Sequence, residues 1–300
     1  MQKKNFIDRI AYYLMVAPGA ILIFIFGYLP MFGLLLAFKD FKAPLGVFGS
    51  PWCGLDNFKA FFSTPDMWLL TRNTVGYNLL FIFSGCIIAL IFAILMNELR
   101  SVKSVKFYQT VAMMPHFLSY VIVAYLVYAF LGSSYGILNN SLLPALGMEP
   151  IKWYGEAKYW PYILFIVRTW KAVGYSSVIY FAAIAGINTE YYEAAIVDGA
   201  NRFQLAIKVT LPLLRPIICI QLIMAMGGIF HSDLGLFYNV PMNQGVLYPT
   251  TNVLSTYIYR NVTNVGFSTA AGFYSSVIGF LVVLLSNAIV RKLDSDSSLF

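Results

Sequence analysis

Six long apolar stretches, joined by short polar connections, constrain this 300-residue chain more than any other feature. They run over Tyr12–Phe38, Thr74–Met96, Val111–Leu131, Trp160–Gly186, Leu213–Phe230 and Phe267–Val290. A helix needs about 20 predominantly apolar residues to cross the hydrocarbon layer of a bilayer, and each stretch meets or approaches that length. Composition removes the alternative that they are core helices of a soluble protein. Charged residues make up 11% of the chain and apolar ones 59%, with a mean hydropathy of +0.72. A soluble domain carries about 25% charge, so a water-facing surface is unavailable for most of the length. Disorder and a soluble enzyme are excluded on the same ground. The expected class is all-α integral membrane, with six transmembrane helices.

The basic residues predict how these spans are oriented. With the N-terminus in the cytoplasm, eleven Lys and Arg fall in short inner segments and seven in longer outer loops. That bias, with an even number of spans, places both termini inside. The densest basic run, Arg100-Ser-Val-Lys103-Ser-Val-Lys106, reads as a short cytoplasmic anchoring loop. It is too small to be a nucleic-acid surface, so the net charge of +7 implies no such partner. Lys3, Lys4 and Arg9 ahead of the first stretch imitate a secretory signal. The stretch is longer than the ~7–15-residue core of such signals and lacks a cleavage site, so it is expected to stay as an anchor. The tail Asp294-Ser-Asp296-Ser-Ser reads as a short polar end. The outer loops carry turn residues and aromatics, Pro44, Gly46, Gly49, Pro51 and Trp52 in the first, Tyr238, Pro241, Gly245, Tyr248 and Pro249 in the last. Such rings suit the membrane–water interface or an external partner.

Metal and disulfide chemistry find no support. Cys86 and Cys219 lie in apolar runs, Cys53 stands alone, and His116 and His231 have no third ligand nearby, although Asp233 follows His231. No internal repeat supports an inverted-repeat transporter.

The connection between the fourth and fifth stretches differs in kind. Thr189 through Asp198 reads as a short amphipathic helix, capped by Asn188 or Thr189, with Glu190 and Glu193 at its positive end. Gly199 supplies the permissive backbone a helix end needs. A second short helix is expected from Asn201 to Pro212, which would stop it. Two helices meeting at a glycine would form an elbow too polar to insert.

Glu193-Ala194-Ala195, Gly199, Val209 and Leu211-Pro212, in that spacing, resemble the E-A-A, three, G, nine, I, one, L-P motif of binding-protein-dependent ABC importer permeases. Val209 replaces the usual Ile, while Asp198 and Ala200 fit the carbohydrate version. Tyr28-Leu29-Pro30, Gly49-Ser-Pro51-Trp52, Gly54-Leu55-Asp56-Asn57-Phe58, Met114-Pro115-His116-Phe117, His231-Ser-Asp233 and Tyr248-Pro249-Thr250-Thr251 extend the likeness to the polysaccharide and aldouronate subgroup.

The resemblance implies a MetI-like core over residues 71–300, with the coupling loop at 187–212, behind an N-terminal segment 1–70 holding the first span and external loop. It implies a bacterial inner-membrane subunit that is not an enzyme. Partners would be a second six-span permease, two cytoplasmic ATPase subunits, an extracellular substrate-binding lipoprotein and an oligosaccharide substrate. Glu193, Ala194, Ala195, Asp198, Gly199, Ala200, Leu211 and Pro212 would couple to the ATPase. The chain has no G-x-x-x-x-G-K-[ST] phosphate loop, so ATP and Mg²⁺ would be used by that partner and no cofactor is expected here. Two other classes fit less well: a permease for a non-sugar solute, and a membrane-embedded glycan-processing enzyme using His231 and Asp233. The latter lacks paired carboxylates and a soluble catalytic domain.

Arg168 and Lys171 fall within the fourth stretch, where ionisable groups are costly. In one reading they share a face with Tyr175 and line the sugar path, with His231 and Asp233 near its mouth. In the other, Trp160–Val167 lies at the external interface, the span begins near Arg168, and both cations snorkel or pair with a neighbouring chain.

Overall fold

The computed structural model describes residues 6–293, with side chains for residues 12–292. Lys3, Lys4, the tail from Asp294 and the Arg9 side chain, all used above in predicting topology, lie outside that description. The regular structure among the described residues is helical, apart from one isolated bridge between Lys39 and Trp52. The principal helices are α1 (Phe6–Ile23), α2 (Met67–Asn97), α3 (Val102–Met113), α4 (Tyr120–Leu131), α5 (Trp160–Ala185), α6 (Thr189–Val197), α7 (Leu211–Met226) and α8 (Val265–Leu293).

Four continuous helical stretches are long and apolar enough to cross a membrane: Tyr12–Phe38, Met67–Asn97, Arg202–Met226 and Val265–Lys292. Two bent pairs bring the number to six if each is counted as one span: Val102–Phe117 with Tyr120–Leu131 at 98°, and Ala157–Ala185 with Thr189–Val197 at 72°.

Three expectations are corrected by this layout. The third apolar stretch is not one straight helix. Pro115 tightens the turn Met114–Phe117, Leu118 and Ser119 are extended, and the Ser119 hydroxyl starts α4 by accepting from the Ile122 N–H at 3.4 Å. The basic run is not a loop: Ser101 caps α3, whose first turns carry Lys103 and Lys106. Pro212 does not stop the helix after the elbow, which runs unbroken over Arg202–Met226. The turn before it, Ala206–Thr210, widens so that the Leu211 N–H reaches the Ala206 carbonyl five residues back. That widening relieves the clash a proline makes with the preceding turn.

The chain forms two compact units. In one, comprising described residues 6–65 and 258–274, Phe38, Phe58 and Phe273 pack as one ring cluster, and Phe61, Phe62, Phe267 and Tyr274 as another. Asn57 donates to the Ala37 and Lys39 carbonyls at 3.1 and 3.0 Å, closing the following loop on the end of the first span.

The other unit, comprising described residues 66–257 and 275–293, is centred on α2 and α5. Trp160, Leu164 and Val167 are buried with Tyr77, Val123 and Phe237. One face of the first turns of α5 is thus inside the protein, while Tyr162 and Ile166 on the other face are exposed. The polar N-terminal turns of α2 are also inside. Asn73 donates to the Pro249 and Asn252 carbonyls, Tyr77 to the Thr250 carbonyl, and Thr74 accepts from the Leu254 N–H. Backbone groups at helix ends within a membrane protein need such protein partners, so Asn73, Thr74 and Tyr77 hold the short helix Tyr248–Thr251 and the break that follows it.

Candidate functional site

The elbow is built from local chemistry. Asn188 caps α6, its Oδ1 accepting from the Glu190 N–H at 3.1 Å. At the other end Gly199 adopts φ +81°, the Ala200 N–H reaches the Ala195 carbonyl at 2.9 Å and the Gly199 N–H reaches Ile196 at 2.9 Å. This crossed pair is the Schellman closure, which requires the left-handed conformation glycine adopts without steric cost. Asn201 and Gln204 then bond each other's backbone N–H at 2.8 and 2.9 Å, a complete capping box. Asp198 is the final cap of α6, and Leu211-Pro212 opens the resumed helix.

The elbow is exposed. Glu193 and Ala194 face solvent, Ala195 is half-buried, and Val197 and Phe203 are 87% and 74% exposed. Two contacts tie it to the unit: Tyr192 to Thr210 at 3.0 Å, and an exposed ion pair from Arg202 to Glu98 beyond the end of α2.

A cavity of about 640 Å³ opens among α2, α5, α7 and the irregular stretch after α7. Arg168, Tyr175, His231 and Asp233 line it. Asn78, Gln221, Phe81 and Phe237, which sequence reading did not single out, line it too. Asn78 and Gln221 carried a signal, since an amide inside an apolar run needs a polar neighbour. Asn78 meets that need by donating to the Ile229 carbonyl at 2.8 Å and to the Ser232 hydroxyl at 3.2 Å. Arg168 makes no hydrogen bond or ion pair with any described residue. The Asp233 carboxylate accepts from the Leu236 N–H at 3.3 Å. Rings beside a few convergent polar groups, in a cleft of this size, suit a small polar ligand with apolar faces. No group of three His, Cys, Asp or Glu residues placed to hold a metal ion occurs among the described residues.

The expected shared face of Arg168, Lys171 and Tyr175 divides. At about 100° per residue, Tyr175 lies about 20° from Arg168 around α5, whereas Lys171 lies about 60° away. Lys171 is outside the cavity lining and 8% exposed. Its ammonium donates to the Pro115, His116 and Leu118 carbonyls at 3.2, 2.7 and 2.5 Å. It neither snorkels nor requires a neighbouring chain, because α5 carries it into the break between α3 and α4.

Residues 85–295 match the family described as the binding-protein-dependent transport system inner membrane component. The chain is 35% identical to Protein LplB of Bacillus subtilis (strain 168) over 290 residues, covering 95% of this chain and 89% of that one. It is 32% identical to the polygalacturonan/rhamnogalacturonan transport system permease protein YteP of the same organism, covering 95% and 88%. A crystal structure of a bacterial ABC transporter involved in the import of the acidic polysaccharide alginate superposes with a TM-score of 0.85 at 33% identity, covering 95% of this chain and 96% of that one. The chain therefore belongs to the family of inner membrane components of binding-protein-dependent transport systems, and it is a transport permease, not an enzyme.

Proposed function

We propose that this permease passes acidic oligosaccharides through the Arg168 cavity, in an importer powered by a separate ATPase. The observation that carries the reading is Arg168 itself: a guanidinium within a span, on a cavity wall, making no hydrogen bond or ion pair with any described residue. A cation so placed is costly unless it meets an anion, and a planar guanidinium matches a uronate carboxylate. Tyr175, Phe81 and Phe237 offer faces for sugar rings, and Asn78, Gln221 and Asp233 offer hydroxyl partners. The names of YteP and of the alginate transporter support an acidic glycan.

In the assembly we propose, both termini lie in the cytoplasm. An extracellular binding protein delivers the sugar, a second permease completes the pathway, and two ATPase subunits consume ATP and Mg²⁺. The exposed elbow around Glu193, Ala194, Ala195 and Gly199 seats on the ATPase. Closure of the ATPase pair then drives the spans between outward and inward states, since contacts that differ between states are what shift such an equilibrium.

Uptake of radiolabelled acidic and neutral oligosaccharides, with and without this gene, tests the reading. Arg168→Gln is expected to reduce acidic uptake by about 10-fold or more, the equivalent of one charge-assisted hydrogen bond, while neutral uptake persists. Equal retention of both sugars would remove Arg168 from the path. Uptake that ignores the gene would remove the transport assignment.

A further inference from the structure

The break in the third span presents carbonyls that a continuous helix would have bonded internally. Lys171 satisfies two of them, at His116 and Leu118, and shares the Pro115 carbonyl with the Leu118 N–H. Its ammonium has three donors and meets the carbonyls of Pro115, His116 and Leu118 at 3.2, 2.7 and 2.5 Å. The Tyr120 ring, 5.0 Å away, adds a cation–π contact.

Two further contacts on the next turn of α5 hold the same place. A Cβ at Gly174 would overlap the Ala112 carbonyl and the Met113 nitrogen, so the α3 and α5 backbones touch there. The His116 ring lies flat on Tyr175, with centroids 4.2 Å apart and planes at 5°. The end of α3 and the turn after it, from Ala112 through Leu118, are thereby clamped to Lys171, Gly174 and Tyr175. α5 ends at Ala185, and the Asn188 cap opens the elbow three residues later.

We propose that Lys171 is a positioning residue for transport: it fastens the break between α3 and α4 to α5, so that α3 moves as one body with the helix leading into the elbow. A displacement at the elbow is then delivered to the third span. Lys171 is not itself a sugar contact, because its donors are occupied and it lies off the cavity. The inference rests on the transport reading above. If that reading fails, deleting the gene leaves uptake unchanged; if this one fails, the unaltered permease still transports.

In the complete transporter, Lys171→Met is expected to lower the maximal uptake rate about tenfold or more for acidic and neutral sugars alike, with KM within about threefold. Lys171→Arg, which keeps the charge and the donors, is expected to recover at least about a third of the rate. Normal uptake by Lys171→Met overturns the proposal. So does a loss confined to acidic sugars, which would make Lys171 a substrate contact, and so does an arginine variant as inactive as the methionine one. Genetically encoded spin labels at the exposed positions 108 and 185 supply a readout that does not need the variant to accumulate. With Lys171 present, the distance between them is expected to be single and unchanged on ATP binding. A distance that changes on ATP binding overturns the proposal.

Discussion

Two interrupted helices in this molecule close their free ends by different means, one through neighbours in sequence and one through a side chain far along the chain. At the elbow, the carbonyls at the end of α6 are taken up by Gly199 and Ala200, and the amides beginning the next helix by Asn201 and Gln204. At the break after α3, the Leu118 carbonyl is bonded by Lys171, 53 residues later. The elbow is exposed and self-contained, so its surface is free to meet another protein. The break is closed by packing against α5, so it serves as a joint inside the permease. A helix end displayed to a partner must be stable before that partner arrives. One that transmits motion must be bonded to what moves it.

The largest effect is expected where the comparison depends on backbone touching backbone. Gly174→Val would place a side chain into the Ala112 carbonyl, where no flexible atom can yield. The cost should exceed the ~1–3 kcal/mol usual for overpacking. Immunoblots of membranes should show the protein lost, and normal accumulation would mean that α3 and α5 are not in close contact. Gly199→Val tests the opposite site. There the Cβ meets open space, but φ +81° disfavours it by about 1–2 kcal/mol. The protein should reach the membrane while uptake falls severely, since α6 would be displayed at the wrong angle; normal uptake would remove the elbow from coupling. The smallest effect is expected for Asn201→Ala, which removes half of the capping box for about 1 kcal/mol. Differential hydrogen exchange should show faster opening of the Arg202–Leu205 turn and little change at α5. A spread into α5 would show that the elbow is not self-contained.

The elbow was legible because each closing group lies within a few residues of what it closes. Asn188, Gly199 and Asn201 are local signals, as were the apolar lengths of the spans. Pro212 misled because its effect depends on the turn before it, and the widened turn at Ala206–Thr210 has no local mark. The cavity was half legible. Arg168 and Tyr175 stood out as polar or aromatic groups on one face of α5, whereas Phe81 and Phe237 looked like any aromatic residues in apolar runs. Lys171 was noticed for its charge but given the wrong surroundings, because periodicity places a side chain on a helix and not against a particular neighbour.

The sequence by itself determined that the chain lives in a bilayer, where its apolar stretches lie and how α6 ends, because burial length and capping are decided within a few helical turns. Only the tertiary structure decided which wall Arg168 faces, why the third span bends, and that Lys171 holds the bend. Each of those depends on groups many tens of residues apart meeting in space.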